Sequence, residues 1–340
     1  MKQFTITEND ANQRLDKFLS KLLPNAVKSL IYKFNRKDKI KVKFEWSDGK
    51  FRKRDNEYKL QIWDEVKVFL IDSEFEALNK KAPLEQFVNS NWEKETLNKD
   101  DIVFEDSDLF ILNKNPGINV HPGDHKTKES NIIAQAQDYL WDKLNSLTFK
   151  PSLIHRIDRD TSGILMIAKK KDMLVRLVND FKSHEKVKKT YFALVLWKLS
   201  RPSGTITKKL LRIENAKNQD KVQVSEKGQT AITHYKKIAE HCVKIPEWDI
   251  YITEVEVQIE TGRMHQIRVH MAAIWNPLLW DKAYWDRKLN AYFTKHFGLT
   301  RQALHAWKIE FYHYSRNKKI ELTARIKDDL LKFIKKIKNK

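Results

Sequence analysis

Cysteine is all but absent: Cys242 stands alone in 340 residues. One thiol excludes an intramolecular disulfide and any cysteine-rich zinc site, and it is what a reducing cytoplasm leads one to expect. Long apolar runs are missing too. The longest, "ILMIA" at 164–168 and "FALVLW" at 192–197, fall far short of the ~20 residues that span a bilayer. The start, "MKQFTITEND", has no apolar signal core. Acids are in deficit, 45 against 65 Lys and Arg, for a net charge of +20. A surplus of that size implies a polyanionic partner, most simply nucleic acid, over the plainer alternative of a solubilising surface. Glycine is scarce: eight, against ten tryptophans, where the usual ~7% would give about three times as many.

What is present falls into three textures. In residues 1–70, Leu15, Phe18, Leu19, Leu22 and Leu23 form one helical stripe, and Val27, Leu30, Ile31 and Phe34 a second. "KIKVKF" at 39–44 and "DEVKVFL" at 64–70 alternate like strands. Residues 28–54 hold eleven Lys or Arg against three acids. A helix pair closed by a small sheet and carrying that cluster is suited to a phosphate backbone. Arg14, Lys28, Lys33, Arg36, Lys37, Lys39 and Lys41 are its candidate contacts. Residues 71–100 are mixed in charge and weakly periodic, and read as a linker. Residues 101–340 interleave strands ("DLFILNK", "ILMIAKK", "TYFALVLW", "TEVEVQIE") with helical stripes at 174–181, 264–274 and 327–338. No regular βαβ repeat appears, so an α+β mixed sheet is expected rather than a Rossmann fold.

Two polar clusters could carry chemistry. In "HRIDRDTSG" at 155–163, His155, Arg156, Asp158, Arg159, Asp160, Thr161 and Ser162 crowd a loop just before a strand. An arginine beside a carboxylate favours its ionised form. Such an Asp can be a base, a nucleophile or an ion-pair anchor, and the residues alone leave these open. In "TGRMHQIRVH" at 261–270, a basic helix start suits phosphate. His265 and His270 are not at the i, i+4 spacing of a helical zinc pair, so no metal is expected.

Four blocks, "HRIDRDTSGILMIAKK", "KKTYFALV", "ETGRMHQIRVHM" and "RQALHAWKIEF", resemble, in this order, the signature blocks of the RluA-type pseudouridine synthases. "FEDSDLFILNKNPGINVHPG" is similar to that family's entry to its catalytic domain. "RLDKFLSKLLPNAVKSLIYKFNRKDKIKV" resembles the small RNA-binding domain named for ribosomal protein S-four. The resemblance covers about 10–70 and 101–330. It implies an isomerase that converts uridine to pseudouridine, mainly in bacterial large-subunit ribosomal RNA, with no cofactor. It implies an RNA-binding domain over 1–70 and a catalytic domain over 101–340. Asp158 then corresponds to the family's essential aspartate, Tyr191 to the tyrosine that packs on the target base, and Arg268 to the basic partner of the aspartate. Arg156, with His155 beside it, corresponds to the arginine that fills the place of the extruded base. A cytoplasmic monomer with no membrane association is expected. The alternative from another class is a non-catalytic RNA-binding or ribosome-assembly factor on the same fold. A hydrolase using Asp158 and His155 finds no serine elbow or second placed carboxylate.

The chain departs from that family most at its tryptophans. In "AAIWNPLLWDKAYW" the family form is "hiGhPllGDxxYG", with glycine where Trp275, Trp280 and Trp285 stand. Trp197 and Trp63 also fall at family glycine positions, and Asp38 stands where the RNA-binding module usually has glycine. Glycine there allows positive φ or close approach, which an indole tolerates poorly. Some bacteria read UGA as glycine, whereas a common alternative table reads it as tryptophan. A gene of the first kind translated with the second table yields this pattern, so these five tryptophans are expected to be glycine in the native protein. Trp46, Trp92, Trp141, Trp248 and Trp307 have no clear glycine counterpart. "NKNPG" lacks the proline that usually follows its lysine.

Overall fold

The computed structural model describes residues 1–44, 48–79, 97–122, 131–140, 143–144, 146–213, 221–245, 249–285 and 287–338. Trp46, Trp92, Trp141, Trp248, Gly123 and residues 80–96 of the stretch read as linker lie outside them.

The N-terminal part is a helix pair on a small sheet. Strands β1 (Lys2–Thr5), β2 (Ile40–Lys43) and β3 (Glu65–Val68) pair antiparallel in the order β1-β3-β2. Helices α1 (Leu15–Leu22) and α2 (Lys28–Arg36) close one core with that sheet. The stripe read from sequence is what is buried: Leu15, Phe18, Leu19, Leu22 and Leu23 meet Ile31, Phe34, Val42 and Val66. Helix α3 (Asp72–Asn79) begins the stretch read as linker. Its periodicity is weak because only Phe75 is buried, stacked 5.8 Å from Phe4.

The remainder is a mixed sheet with helices against it. In chain order it runs β4 (Ile102–Glu105), β5 (Leu109–Lys114), α4 (Ile132–Leu140), β6 (Ser152–Leu153), β7 (Ser162–Ala168), α5 (Lys171–Ser183) and β8 (Lys188–Leu196). Then come β9 (Ser203–Ile213), β10 (Lys221–Val224), β11 (Gln229–Lys244), β12 (Asp249–Ile259), α6 (Gln266–Ala273), α7 (Arg287–Phe297), β13 (Leu304–His313), β14 (Lys318–Thr323) and α8 (Asp328–Lys338). The strand order is β10-β9-β11-β12-β8-β13-β7-β5-β4, with β14 added to β13 and β6 to β7. Only the β13–β7 pairing is parallel among the described strands. This is the expected α+β mixed sheet.

Strand β8 explains why "FALVL" reads as a continuous apolar run. Side chains alternate faces along a strand. Phe192, Leu194 and Leu196 enter a core with Phe293 and Phe297 of α7 and Phe333 of α8. Ala193 and Val195 enter another, with Val255, Ile267 and Met271. Both faces are covered, so both sets must be apolar.

The two parts are joined by polar contacts as well as by chain. Asp10 is fully buried. Its carboxylate accepts from the backbone N–H of Leu147 (3.0 Å) and Thr148 (2.8 Å) and from the hydroxyls of Ser146 (3.0 Å) and Thr148 (2.7 Å). Beside it, Lys171 N–H donates to Asn9 Oδ1 at 3.1 Å.

Four of the five tryptophans at family glycine positions have left-handed backbone: Trp63 (φ 70°), Trp197 (φ 70°), Trp275 (φ 64°) and Trp280 (φ 63°). Asp38 shares it, at φ 56°. Trp285 does not, so its glycine counterpart answers to no positive φ. Position 275 has a particular reason. It follows the C-cap Ile274 of α6; its N–H donates to Ala272 O (3.1 Å), and Asn276 N–H donates to Met271 O (3.0 Å). That pair of bonds is the Schellman closure, whose C′ residue is left-handed and usually glycine. Trp307 lies in β13 where the register against β8 shifts between Ala306 and Lys308, edge-on to Phe192 at 6.2 Å.

Candidate active site

The sheet order brings distant blocks together. Strand β13 lies between β7 and β8, so "HRIDRDTSG", "KKTYFALV" and "RQALHAW" share one region. Gly163 is what lets β7 approach β13. Its φ is 108°, and a Cβ there would sit 2.2 Å from Ala306 O. No other residue type fits without parting the strands.

The loop ahead of β7 is pinned from several sides. Thr161 N–H donates to Asp158 O (3.1 Å), closing a turn around Asp158. From the "RQALHAW" block, Gln302 Nε2 donates to Thr161 Oγ1 (2.8 Å), and Ser162 Oγ and His305 Nδ1 are 2.9 Å apart. Arg301 grips Asp329 through Nε (2.6 Å) and Nη2 (2.9 Å). On the opposite flank the buried Lys114 ammonium donates to three carbonyls, Arg159 and Asn115 (each 2.7 Å) and Ile118 (2.9 Å). Burial pushes that amine down to about 7. The loop is therefore held in place before any substrate arrives, as a reacting group requires.

Asp158 is partly exposed, with 30% of its side chain accessible. Its Oδ2 accepts from Arg268 Nη1 at 3.1 Å, and His265 Nε2 lies 3.8 Å away. Arg268 projects from α6 and is almost fully buried. Its other edge is held by the fully buried Asp281: Nε to Oδ2 at 2.7 Å and Nη2 to Oδ1 at 2.9 Å. Asp281 thus takes one edge of the guanidinium fork and leaves Nη1 for Asp158. Burial disfavours the Arg268 charge, but Asp281 and then Asp158 more than offset it, raising its pKa above the ordinary arginine value. The ring of Tyr284 lies 5.1 Å from the guanidinium, and its hydroxyl is 2.8 Å from His265 Nδ1.

Tyr191 is half-buried on β8, its strand paired to β12 at Val257 and to β13 at Ala306. Burial, then the charge of Asp158, pushes its hydroxyl pKa up, so the phenol stays neutral. Asp158, Tyr191 and Arg268 are therefore brought together. Arg156 is exposed, and its side chain makes no ion pair or hydrogen bond among the described residues. His155 is engaged by the protein itself. Its ring stacks on Phe181 at 4.7 Å and its Nε2 accepts from Met166 N–H at 3.2 Å. Burial pushes it down to about 3, so the ring is neutral.

The basic residues of the N-terminal part divide. Lys28, Lys33, Arg36 and Lys37 are exposed along and just beyond α2. Lys39 pairs with Glu74 (3.6 Å), and Lys41 lies over the Phe69 ring at 5.7 Å. Arg14, just ahead of α1, is paired with Asp16 and Glu57, each at 2.9 Å. His270 is bonded to Thr233 Oγ1 through Nδ1 at 2.9 Å. The one His–carboxylate group among the described residues compact enough for an ion is Asp106, Asp108 and His313. Its charge is already answered by Arg316 on Asp106 (3.0 Å) and Lys170 on Asp108 (2.7 Å).

Asp281, Tyr284, Gln302 and His305 were not singled out from sequence. The first two stand in "WDKAYW" at the Asp and Tyr of "GDxxYG", a signal eclipsed by the tryptophans around them.

The chain is matched over residues 108–273 by the family model described as RNA pseudouridylate synthase. It is 35% identical over 321 residues to "Ribosomal large subunit pseudouridine synthase C" of Buchnera aphidicola subsp. Schizaphis graminum, covering 94% of this chain and 92% of that one. The protein of the same name from Vibrio cholerae is 35% identical over 334 residues, covering 98% and 96%. Among solved structures, "Human RNA Pseudouridylate Synthase Domain Containing 4" shares the fold, with TM-score 0.55 and 21% identity over 70% of this chain and 93% of that one. The chain belongs to the RNA pseudouridine synthase family, enzymes that isomerise uridine in RNA to pseudouridine.

Proposed function

We propose that this enzyme modifies uridines of large-subunit ribosomal RNA, with Asp158 as the reacting group. The observation that carries the assignment of the site is the Asp158–Arg268 pair beside Tyr191, at the meeting of three sequence blocks. The reaction breaks the N-glycosidic bond of a uridine. The freed base turns, carbon 5 bonds to the same sugar carbon, and the proton on carbon 5 leaves. No electron is gained or lost overall, so the residues present suffice. Arg268 holds Asp158 through Oδ2. The other oxygen, Oδ1, is without a partner among the described residues, and it faces the ribose or the departing proton. Tyr191, kept neutral, packs on the base. Exposed Arg156 fills the gap left by the extruded nucleotide, lowering a cost of a few kcal/mol; His155 braces it through the Phe181 stack.

Residues 1–70 act as the RNA-binding domain, joined through 71–100 to the catalytic domain, 101–340. Lys28, Lys33, Arg36 and Lys37 meet phosphates, with Lys39, Lys41 and Arg14 at the margin. The enzyme works as a cytoplasmic monomer without cofactor. No described helix is long and apolar enough to cross a membrane.

Tritium release from 5-labelled uridine in large-subunit ribosomal RNA tests this. Asp158→Ala is expected to abolish release while RNA affinity holds. Release near the unsubstituted level would place the chemistry elsewhere. Silence of the unsubstituted enzyme on this RNA would reject the substrate.

A further inference from the structure

Lys189 lies two residues before Tyr191 on β8, so both side chains leave the same face, about 7 Å apart along the strand. It is buried, with 8% of its surface exposed. Its Nζ has neither an ion pair nor a hydrogen bond among the described residues. Its surroundings are the Phe181 ring at 5.6 Å and the loop at Gly262, where an added Cβ would stand 3.7 Å from Nζ. Glu260 in that loop is committed to His234 at 2.6 Å. Burial lowers the proton affinity of nearby His184, the cations Lys189 and Arg263 lower it further, and Glu260 opposes them.

A buried ammonium without a counter-ion is costly, and such groups are ordinarily paired. Lys189 is not left over from an internal pair whose partner has swung away, because the adjoining acid is already bonded. The same Gly262 loop continues through His265 to Arg268, which holds Asp158. Lys189 shares its strand face with Tyr191, and that tyrosine feels the charge of Asp158. Burial pushes the Lys189 pKa down to about 8, which leaves the amine mostly protonated at neutral pH.

We infer that Lys189 is a subsite for one backbone phosphate of the substrate RNA, within one nucleotide of the uridine that reacts. The inference rests on the proposed RNA reaction. It assigns Lys189 a charge-assisted bond to a non-bridging phosphate oxygen, formed only when substrate is seated. Gly262 keeps the approach open, since any side chain there would enter the space beside Nζ.

The test uses a synthetic stem-loop of large-subunit ribosomal RNA with one 5-tritiated uridine. A set of such RNAs carries a single neutral methylphosphonate at each position flanking the target. With unsubstituted enzyme, one methylphosphonate is expected to lower kcat/KM at least tenfold, the scale of a hydrogen bond to a charged group. Lys189→Met is expected to cost a similar factor on native RNA and almost nothing further on that one modified RNA. Its salt slope falls by about 0.7–0.9, one phosphate contact. Lys189→Arg restores most of the loss. Equal losses for Lys189→Met on every RNA, with an unchanged salt slope, would overturn the subsite. The scan on unsubstituted enzyme needs no variant to fold, and a scan with no sensitive phosphate also overturns it. Inactivity of the unsubstituted enzyme on all the RNAs would instead reject the proposed substrate.

Discussion

The left-handed backbone at Trp275 makes glycine and alanine unequal replacements there. Both substitutions remove the same indole, which is 79% exposed, so the packing they lose is small and shared. They differ only at Cβ. An L-residue in the left-handed region costs about 1–2 kcal/mol. Glycine's extra freedom in the unfolded chain takes back about 0.4–1 kcal/mol. The difference leaves glycine more stable than alanine here by about 1 kcal/mol. In a helix interior the order is reversed by about the same amount. Position 275 follows α6 by two residues, so propensity without the Schellman geometry predicts the wrong sign. Thermal unfolding of the three proteins measures it. About 1 kcal/mol corresponds to roughly 2–4 °C for a unit of 150–250 residues. Alanine equal to or above glycine refutes the strain argument at this site. Peptides of the protein from its source organism then decide its origin. The decoding explanation expects glycine at 63, 197, 275, 280 and 285, and tryptophan at 275 and 280 ends it.

Two further substitutions probe the frame of the site. Asp281→Ala leaves Arg268 buried without its main partner, so stability falls by about 3–5 kcal/mol in denaturant unfolding and tritium release falls with it. A loss under about 1 kcal/mol would mean that the fork is not buried in solution. Asp158→Ala, by contrast, touches a partly exposed carboxylate and should leave the unfolding curve within about 1 kcal/mol. Asp10→Ala strips the acceptor from the amides of Leu147 and Thr148, and their hydrogen exchange should accelerate by at least tenfold, the scale of about 1.4 kcal/mol per amide. Unchanged exchange at 147 and 148 would show that the contact between the two parts is not held by Asp10.

The elements legible in the sequence are those with one wet face or two dry ones. The α1 stripe, the "TEVEVQIE" alternation of β12 and the "FALVL" run of β8 each declare a periodicity, and each is a regular element. Strand β9 buries only Ile206 and Leu210, so its lysines and threonines show no apolar alternation. Strand β11 is irregular between Lys237 and Ala239, which breaks the period that would have marked it. Position 285 shows the limit of family analogy at the other extreme. The family's glycines allow positive φ or close approach at five tryptophan positions, and the backbone is left-handed at four of them.

The candidate site was legible to the extent that Asp158 sits in a polar loop and Arg268 in a basic helix start. Asp158 and Arg268 belong to clusters too dense in charge to be ordinary surface. What holds them could not be read the same way. Asp281 is a lone acid thirteen residues beyond Arg268, and nothing local says that it is fully buried. Its burial follows from α6 folding back over it, a long-range event. Lys189 is harder still, because a lysine before a strand looks like a solvated charge. The Phe181 ring and the distant loop at Gly262 stand around it. Residues that react are marked by local composition, whereas those that orient and neutralise are marked by what the chain brings against them. A sequence block can therefore locate the candidate aspartate, but the counter-charges that set its geometry, and the phosphate subsite proposed at Lys189, exist only once β8, α6 and the 260s loop have met.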